Sequence, residues 1–291
     1  MTALYGLDGA AWLERLPALL ADYERRWSLT ILPPFANLSY NYVAPAIRAD
    51  GSEAVIKLGF PSRELPAEIA ALRYYDGRGI VRLLEADPDQ GAQLLERLRP
   101  GTLLVSLDDD EQATAIAAQV MRKLWRPAPP APVFPTVARW AEGMGRLRAC
   151  FGGATGPFPR TLVEQAESLF AELLGSMAAP VLLHGDLHHE NILAAQREPW
   201  LALDPKGVIG EPAYEVGALL RNPLPRLLVM PQPGRVQARR VDQLAEALGF
   251  DRERIRGWGL AQAVLSAWWS YEDGDSDWRP AIACAELLAE L

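Results

Sequence analysis

The sequence predicts an α+β protein in which a small antiparallel sheet is followed by a mostly helical remainder. Residues 39–47 and 54–58 are rich in β-forming side chains, and the Asp-Gly pair between them is a strong hairpin signal. Beyond residue 98, most of the chain instead places apolar residues at helical spacing. A length of 291 residues suffices for two unequal parts with a substantial core. We therefore expect an N-terminal part over residues 1–97 and a helical part over residues 98–291.

Composition narrows the classes of partner. The chain carries 37 acidic side chains against 29 lysines and arginines, a formal net charge of -8, which argues against nucleic acid and favours a cationic small molecule. Two cysteines are too few for a disulfide framework or a cysteine-rich zinc site, and they suit a reducing compartment. Asp8 and Glu14 interrupt the start of the chain, unlike in a signal peptide, and no run approaches the roughly 18 apolar residues of a membrane span. We expect a cytoplasmic protein without a membrane partner.

The N-terminal part is predicted to contain two helices and five strands. Leucines recur at helical spacing within the first 25 residues, which predicts an amphipathic helix. A second helix is predicted from Glu64 to Asp76, because its composition favours helix and the glycines that follow are suitable stops. The predicted strands are 27–32, 39–47, 54–58, 80–85 and 93–96.

The second part is predicted to be helical except for one short β-like island over residues 181–203. The acidic run 108–111 precedes its first helix, where carboxylates stabilise a helix start, so we interpret the run as capping rather than as a ligand site. Prolines between 127 and 135 predict a stiff, extended connector. The predicted helices are 111–125, 137–150, 162–177, 239–248, 255–271 and 281–291.

The island carries polar residues at definite intervals. Asp186 precedes Asn191 by five residues, and Asp204 follows Asn191 by thirteen, an order that matches the phosphoryl-transfer site of protein kinases. A carboxylate at Asp186 can accept or orient the proton of an attacking hydroxyl, whereas the oxygens of Asn191 and Asp204 are hard ligands for Mg²⁺. Since the loop lies between short strands, the three side chains can converge on one cleft. We expect His184 to be a packing and hydrogen-bonding support rather than an acid or base.

All three histidines of the chain fall within six positions, which leaves a second interpretation open. They could bind zinc or iron with neighbouring carboxylates. The candidate ligands would then be His184, His188, His189, Asp186 and Glu190. Gly185 and the apolar strand before it argue against a helix at this point, and the glutamate of a His-Glu-x-x-His motif is absent. Phosphoryl transfer is therefore favoured over a metal-dependent hydrolase and over a purely structural loop.

A kinase site also requires a lysine on a strand and an acidic residue on the neighbouring helix. Lys57 lies in the predicted strand 54–58, and Glu68 lies on the helix that follows. Lys57 would pair with the α- and β-phosphates of ATP and be oriented by Glu68, with Glu64 as the rival partner. Each residue type is common at such positions, but their order ahead of the island favours the pairing.

The chain departs from the protein-kinase pattern at three places. The turn at residues 35–43 contains no glycine where a glycine-rich loop would cover the phosphates, so we expect Ser39 and nearby backbone amides to serve instead. Asp204 is followed by Pro-Lys rather than Phe-Gly, and no activation-loop segment follows. Protein substrates are therefore not expected.

The chain resembles the aminoglycoside phosphotransferase group of kinase-like enzymes, whose hallmark His-Gly-Asp-Leu-His-x-x-Asn stands at residues 184–191. From about Trp27 to the C-terminus it is more similar to the streptomycin 6-phosphotransferase and hydroxyurea phosphotransferase branch. The resemblance implies a two-lobe, protein-kinase-like fold with ATP between the lobes. It also implies that Asp186 is the catalytic base and that Lys57 binds phosphates. Mg²⁺ would be bound by Asn191 and Asp204, and the adenine would lie along the hinge from Glu96 to Leu98.

The acceptor implied by the resemblance is a hydroxyl of a small polar molecule. Glu211 and Glu215 stand where the family often has aspartate, and both are candidate acceptor residues. Trp269, Glu272 and Asp273 combine an aromatic ring with acids, which suits a guanidinium or ammonium group. The alternative for that segment is a solvated helix end with its tryptophans packed inward.

We therefore predict an ATP- and Mg²⁺-dependent O-phosphotransferase acting on a small cationic molecule. An aminoglycoside such as streptomycin, which carries two guanidinium groups, is the favoured acceptor, and resistance to that antibiotic is the implied role. A kinase of another metabolite, such as a sugar, an amino alcohol or a nucleoside, remains open. So does a non-catalytic nucleotide-binding module, because the glycine loop is missing.

Overall fold

The chain divides into two compact units, Met1–Arg99 and Pro100–Leu291. The computed structural model describes residues 2–36, 41–62, 64–130, 133–274 and 277–291, with side chains from Gly6 onward. Within these ranges, no helix is both long and apolar enough to cross a membrane.

The described residues of the first unit form a five-stranded antiparallel sheet and two helices. The strands lie in the order β1-β2-β3-β5-β4, and α2 is inserted between β3 and β4. Gly51 closes the β2-β3 hairpin in the left-handed region, at a φ of 81°, as the Asp-Gly signal predicted. The elements are α1 (Thr2–Arg26), β1 (Leu29–Ile31), β2 (Tyr42–Arg48), β3 (Glu53–Leu58), α2 (Leu65–Tyr75), β4 (Leu83–Asp87) and β5 (Ala92–Glu96).

One hydrophobic core of this unit lies between α1 and the sheet. Trp12 and Tyr23 of α1 are buried against inward-facing residues of β2 and β3, among them Ile56 and Leu58. The Tyr23 hydroxyl donates a 2.9 Å hydrogen bond to Asp87 at the end of β4. The predicted amphipathic helix is thus confirmed, and its apolar face completes the core of the sheet.

The second unit consists of eight helices and two small sheets within the described residues. One sheet has the order β10-β9-β6 and the other β11-β8-β7. Helix α9 is central, being buried along most of its length, and it packs against α5, α6 and α10. The strands are β6 (Pro100–Leu103), β7 (Arg126–Pro127), β8 (Val181–Leu183), β9 (Ile192–Ala195), β10 (Trp200–Ala202) and β11 (Val208–Gly210). The helices are α3 (Asp110–Leu124), α4 (Val137–Cys150), α5 (Arg160–Gly175), α6 (Val216–Arg221), α7 (Arg226–Val229), α8 (Pro233–Leu248), α9 (Arg252–Glu272) and α10 (Arg279–Ala289).

The predicted alternation of helices with a β island is confirmed, with differences at short elements. The island pairs with β6 and β7, which precede it, and with β11, which follows it; these strands of two to four residues are too short to show a period. Helix α8 begins at Pro233 rather than at 239, since proline suits a first helical turn. Asp109 caps α3 by accepting from the Gln112 amide at 3.0 Å, as predicted for the acidic run.

Candidate active site

The island residues form a tight loop between β8 and β9. Gly185 starts its turn with a φ of 85°, where a Cβ atom would lie 2.9 Å from both Trp140 and Val208. Glycine is therefore required for the backbone conformation and for the space. Asp186 follows directly, so its position is fixed by a turn that the neighbouring side chains enclose.

His184 supports this loop from inside the protein. Its Nε2 lies 2.7 Å from the Leu203 carbonyl, and its Nδ1 accepts from the Asp186 amide at 3.2 Å. These partners assign the neutral tautomer with the proton on Nε2. Burial lowers the pKa of His184 to about 4, although the Leu203 carbonyl opposes the shift. The predicted role of His184 as a hydrogen-bonding support is confirmed.

Glu215 holds the same turn from its other side. Its two carboxylate oxygens accept hydrogen bonds from the amides of His184 and Gly185, at 2.7 and 2.8 Å. Burial raises the pKa of Glu215 to about 7, against the opposing effect of these two amides. The prediction that Glu215 contacts the acceptor is corrected, since the carboxylate is buried and both its oxygens are bonded to the loop.

Glu211 requires the same correction. Its carboxylate is buried and forms a two-pronged ion pair with Arg254, with both distances 2.7 Å. It also accepts hydrogen bonds from the Ala178 amide and the Trp258 indole. These partners tie Glu211 to α9 and to the segment before β8, which makes it a structural residue rather than an acceptor ligand.

Two side chains lie close to the Asp186 carboxylate without forming a hydrogen bond to it. Its Oδ1 lies 3.7 Å from Arg221 Nη2 and its Oδ2 lies 3.9 Å from His188 Nε2, both beyond hydrogen-bond length. The side chain is 30% exposed. Among the described residues, none donates a hydrogen bond to this carboxylate, so its lone pairs are available for an incoming hydroxyl.

The β9-β10 hairpin explains the spacing of thirteen between Asn191 and Asp204. Antiparallel pairing of Ile192 with Ala202 continues in a hydrogen bond from the Leu203 amide to the Asn191 carbonyl, at 3.0 Å. Asn191 therefore directly precedes β9 and Asp204 lies two residues after β10, so both are at the same end of the hairpin. Asp204 adopts a left-handed φ of 58°, which aspartate tolerates better than most residues.

The side-chain oxygens of Asn191 and Asp204, at the end of this hairpin, are of the type that binds Mg²⁺. Asn191 Nδ2 donates to the Asp186 carbonyl at 2.8 Å and contacts His188 Nε2 at 3.3 Å. With Nδ2 engaged, Asn191 presents Oδ1, which receives no hydrogen bond from the described part of the chain. Amide and carboxylate oxygens, as in Asn191 and Asp204, are the hard ligands that Mg²⁺ prefers.

The alternative histidine metal cluster is not supported by the geometry. His184 is bonded at both ring nitrogens, and His188 Nδ1 accepts from the Glu190 amide. His189 is 2% exposed, and neither of its ring nitrogens has a hydrogen-bond partner. Across the described ranges, no three histidine, cysteine or acidic side chains converge as a metal-binding set.

The first unit contains the predicted lysine–glutamate pair. Lys57 Nζ on β3 lies 2.7 Å from Glu68 Oε1 on α2, and both side chains are largely buried. Gln93, which faces Lys57 across the β3-β5 pairing, donates to the same oxygen at 2.9 Å. Glu64 is exposed at the start of α2. The structure therefore pairs Lys57 with Glu68, and it adds Gln93, which sequence reasoning missed.

The other predicted nucleotide contacts are placed less completely. The Glu96 amide donates a hydrogen bond to the Arg82 carbonyl at 2.9 Å, and the Glu96 carboxylate accepts one from the Arg82 amide at 3.1 Å. Leu98 is buried. Ser39 lies outside the described residues. The roles of these three residues toward a nucleotide stay predictions.

The predicted acceptor residues at the end of α9 differ in their surroundings. Trp269 packs edge-on against Trp140, with ring centroids 5.4 Å apart, and Trp140 in turn borders Gly185. Glu272 forms a two-pronged ion pair with Arg146, at 2.7 and 2.8 Å, so its charge is already matched. Asp273 is exposed. Sequence reasoning missed Trp140, because no local pattern links an α4 tryptophan to the catalytic loop.

The fold recurs in solved structures. The crystal structure of aminoglycoside phosphotransferase APH(4)-Ia, a thermostable mutant in a ternary complex with ADP and hygromycin B, matches with a TM-score of 0.65 at 15% identity, covering 93% of this chain and 97% of that one. This likeness shows a protein-kinase-like fold, the fold in which a strand lysine pairs with a helix glutamate.

The family follows from sequence comparison. The chain belongs to the aminoglycoside/hydroxyurea antibiotic resistance kinases, whose family model matches residues 27–274. It is 36% identical over 293 residues to streptomycin 6-kinase of Streptomyces glaucescens, covering 98% of this chain and 92% of that protein. It is also 36% identical over 296 residues to hydroxyurea phosphotransferase of Kitasatospora aureofaciens, covering 97% and 82% respectively.

Proposed function

We propose that this protein transfers the γ-phosphoryl group of ATP to a hydroxyl of a small cationic acceptor, with streptomycin as the first candidate. The observation that carries the proposal is the Asp186 carboxylate, fixed by a rigid turn yet free of protein hydrogen-bond donors in the described chain. The 36% identity to streptomycin 6-kinases supports the choice of acceptor. The ADP complex of the APH(4)-Ia structure supports a nucleotide as donor.

Asp186 acts on the attacking hydroxyl. Its carboxylate accepts a hydrogen bond from the acceptor O–H and takes the proton as the oxygen bonds to the γ-phosphorus. The bond between that phosphorus and the β,γ-bridging oxygen breaks, and the products are a phosphate monoester and ADP. Since the transition state is loose, the contribution of Asp186 is mainly orientation of the nucleophile.

The remaining roles divide between the two units. In the first, Lys57, held by Glu68, binds the α- and β-phosphates, while Glu96 and Leu98 lie along the adenine. Ser39 belongs to the segment that would cover the phosphates. In the second, Asn191 Oδ1 and Asp204 would hold Mg²⁺, which when bound neutralises phosphate charge.

The acceptor is bound by the second unit near α9. The partly exposed rings of Trp140 and Trp269 lie beside the Gly185 turn, and such rings attract guanidinium groups through their faces. Asp273 supplies negative charge at the end of the same helix. Glu272 is assigned a lesser role, because binding the acceptor would require it to leave Arg146.

The compartment proposed is the cytoplasm. Both cysteines are unpaired thiols, Cys150 exposed and Cys284 buried. Free thiols are typical of the reducing compartment in which ATP is available.

The test is coupled ADP release with a panel of acceptors: streptomycin, hydroxyurea, other aminoglycosides, choline, a hexose and a nucleoside. We expect streptomycin to stimulate turnover most strongly, and the phosphate to be found on one hydroxyl by mass spectrometry and NMR. If only choline, the hexose or the nucleoside stimulates ADP release, the acceptor is that metabolite and not streptomycin. ATP-dependent thermal stabilisation without transfer to any acceptor would indicate a non-catalytic module.

A matched pair of variants tests the base. Asp186→Asn should lower kcat by about 100-fold or more while leaving nucleotide binding unchanged. Asp273→Asn, an exposed neutralisation on the acceptor side, should raise the KM for a cationic acceptor and leave kcat nearly unchanged. Full turnover by Asp186→Asn would refute the assignment of the base.

A further inference from the structure

Arg221 ends α6 with its side chain directed at the catalytic loop. Its Nη2 lies 3.7 Å from Asp186 Oδ1, and its side chain is 14% exposed. From the other side, Nη1 donates to Gln262 Oε1 on α9 at 3.2 Å. We propose that Arg221 is a positioning residue for Asp186, and that Gln262 sets the orientation of its guanidinium. This inference rests on the proposed function, in which Asp186 orients the acceptor hydroxyl.

Two nitrogen-bearing side chains lie near the Asp186 carboxylate: Arg221 at 3.7 Å and His188 at 3.9 Å. Arginine stays protonated in any protein environment. Within the described chain, Arg221 is thus the one permanent cation within 4.0 Å of the Asp186 carboxylate.

The distance between the two groups matters for the role. At 3.7 Å, the guanidinium attracts the carboxylate without forming a hydrogen bond to it. The carboxylate is therefore drawn to one rotamer while its lone pairs stay available to the acceptor hydroxyl. A closer, bidentate pair would occupy both oxygens and compete with the substrate.

The guanidinium has little freedom to move. Gln262 is 2% exposed, and its Oε1 lies so close to Gly217 that a Cβ there would be 2.3 Å away. Gln262 is thereby confined between α6 and α9, and it confines Arg221 in turn. A planar donor group can serve Gln262 and Asp186 at once, which a lysine ammonium on a flexible stem does less well.

Steady-state kinetics of four variants tests the proposal. Arg221→Met should lower kcat by about 10- to 100-fold, as loss of an orienting partner typically does, with both KM values within about twofold of the parent. Arg221→Lys should recover part of the loss, and Gln262→Leu should lower kcat less than Arg221→Met. Arg226→Met is the matched control, since Arg226 is half exposed on α7 and pairs with Asp108; its kinetics should match the parent.

A double-mutant cycle separates positioning from a merely structural role. If Arg221 acts through Asp186, adding Arg221→Met to Asp186→Asn should lower the residual kcat no further. An equal further decrease in that background, or a change confined to KM, would overturn the proposal. Thermal unfolding of each variant is measured alongside. If Arg221→Met does not fold, the Arg221→Lys and Gln262→Leu variants decide the question by the same cycle.

The outcome is distinguishable from failure of the proposed function. Parent-like turnover by Asp186→Asn would remove the base assignment whatever Arg221 does. If no acceptor of the panel reacts, the slow transfer of the γ-phosphoryl group to water provides the rate for the same cycle. Parent-like hydrolysis by Arg221→Met would then overturn the positioning role.

Discussion

Glu215 determines the backbone of the catalytic loop through one carboxylate. Both of its oxygens accept hydrogen bonds from loop amides, so the side chain at position 215 must provide two acceptor atoms. Glu215→Gln would turn an NH₂ group toward one of those amides. We expect an unfolding free energy lower by about 1–3 kcal/mol and a lower kcat, because a buried amide donor loses its acceptor.

Urea unfolding and steady-state kinetics check this expectation. Glu286→Gln on the exposed side of α10 is the control and should change neither. Parent-like stability and turnover in Glu215→Gln would show that the two amides do not depend on the carboxylate.

Glu68 is predicted to act on nucleotide affinity. Its Oε1 accepts hydrogen bonds from Lys57 Nζ and Gln93 Nε2. In Glu68→Gln, the Lys57 ammonium loses the negative charge of this carboxylate. We expect the KM for ATP to rise about tenfold, equivalent to about 1.4 kcal/mol. Glu64→Gln, an exposed neutralisation on the same helix, should leave it unchanged. Equal effects of the two variants on the KM for ATP would contradict the assignment.

At the scale of elements, helix α3 illustrates how two adjacent acids serve different ends. Asp109 caps the helix, whereas Asp110 forms a largely buried ion pair with Arg240 of α8 and a second pair, at 2.8 Å, with Arg239. Arg240 is 1% exposed and also donates to the Asn222 carbonyl at 2.7 Å. The pairs join α3 to α8.

Removing Asp110 should be far more costly than removing the cap. Asp110→Ala leaves a buried guanidinium without its carboxylate and should lower the unfolding free energy by about 3 kcal/mol or more. Asp109→Ala should cost about 1 kcal/mol, the usual cost of a lost cap. Urea unfolding of the full chain measures both, and similar losses would contradict the distinction.

The parts of the site that sequence reasoning predicted are those set by local geometry. The intervals of five and thirteen among Asp186, Asn191 and Asp204 follow from one loop and one hairpin, both encoded within 24 residues. Lys57 and Glu68 were predictable for a similar reason, since a strand and the next helix pack together. Such intervals can be read from the sequence because the residues involved lie in the same or in neighbouring elements of the chain.

The parts that were missed depend on distant elements. Arg221 and Trp140 reach the loop from α6 and α4, and nothing near either residue in the sequence indicates a catalytic neighbour. Glu211 and Glu215 were predicted as acceptor residues because they stand where the resembled family often has aspartate. Their burial and their partners, Arg254 and the loop amides, arise only when the helices assemble.

For the whole molecule, His184 predicts a dependence of stability on acidity. The folded protein holds the ring neutral with a pKa of about 4, against an ordinary value of 6.5. As the pH falls below 6.5, the unfolded chain binds a proton at His184 that the folded chain does not, so the contribution of His184 to the unfolding free energy decreases until the pH reaches about 4. Protonation of Nδ1 would also remove the hydrogen bond that this nitrogen accepts from the Asp186 amide.

Urea unfolding midpoints at about pH 7.5 and about pH 5 provide the measurement. His184→Gln removes the titrating ring, so its midpoint should change less between these conditions than that of the parent. An identical change in both proteins would assign the acid sensitivity to other groups.

Helix α9 presents Gln262 and Trp269 seven residues apart, two turns along the same face. Gln262 accepts a hydrogen bond from Arg221, which lies beside Asp186, and Trp269 packs against Trp140. Because the stretch of α9 between them is largely buried, we expect a substitution at Trp269 that changes acceptor preference to lower kcat as well. Variants with a broader range of acceptors should then acquire second changes in α6, near Arg221.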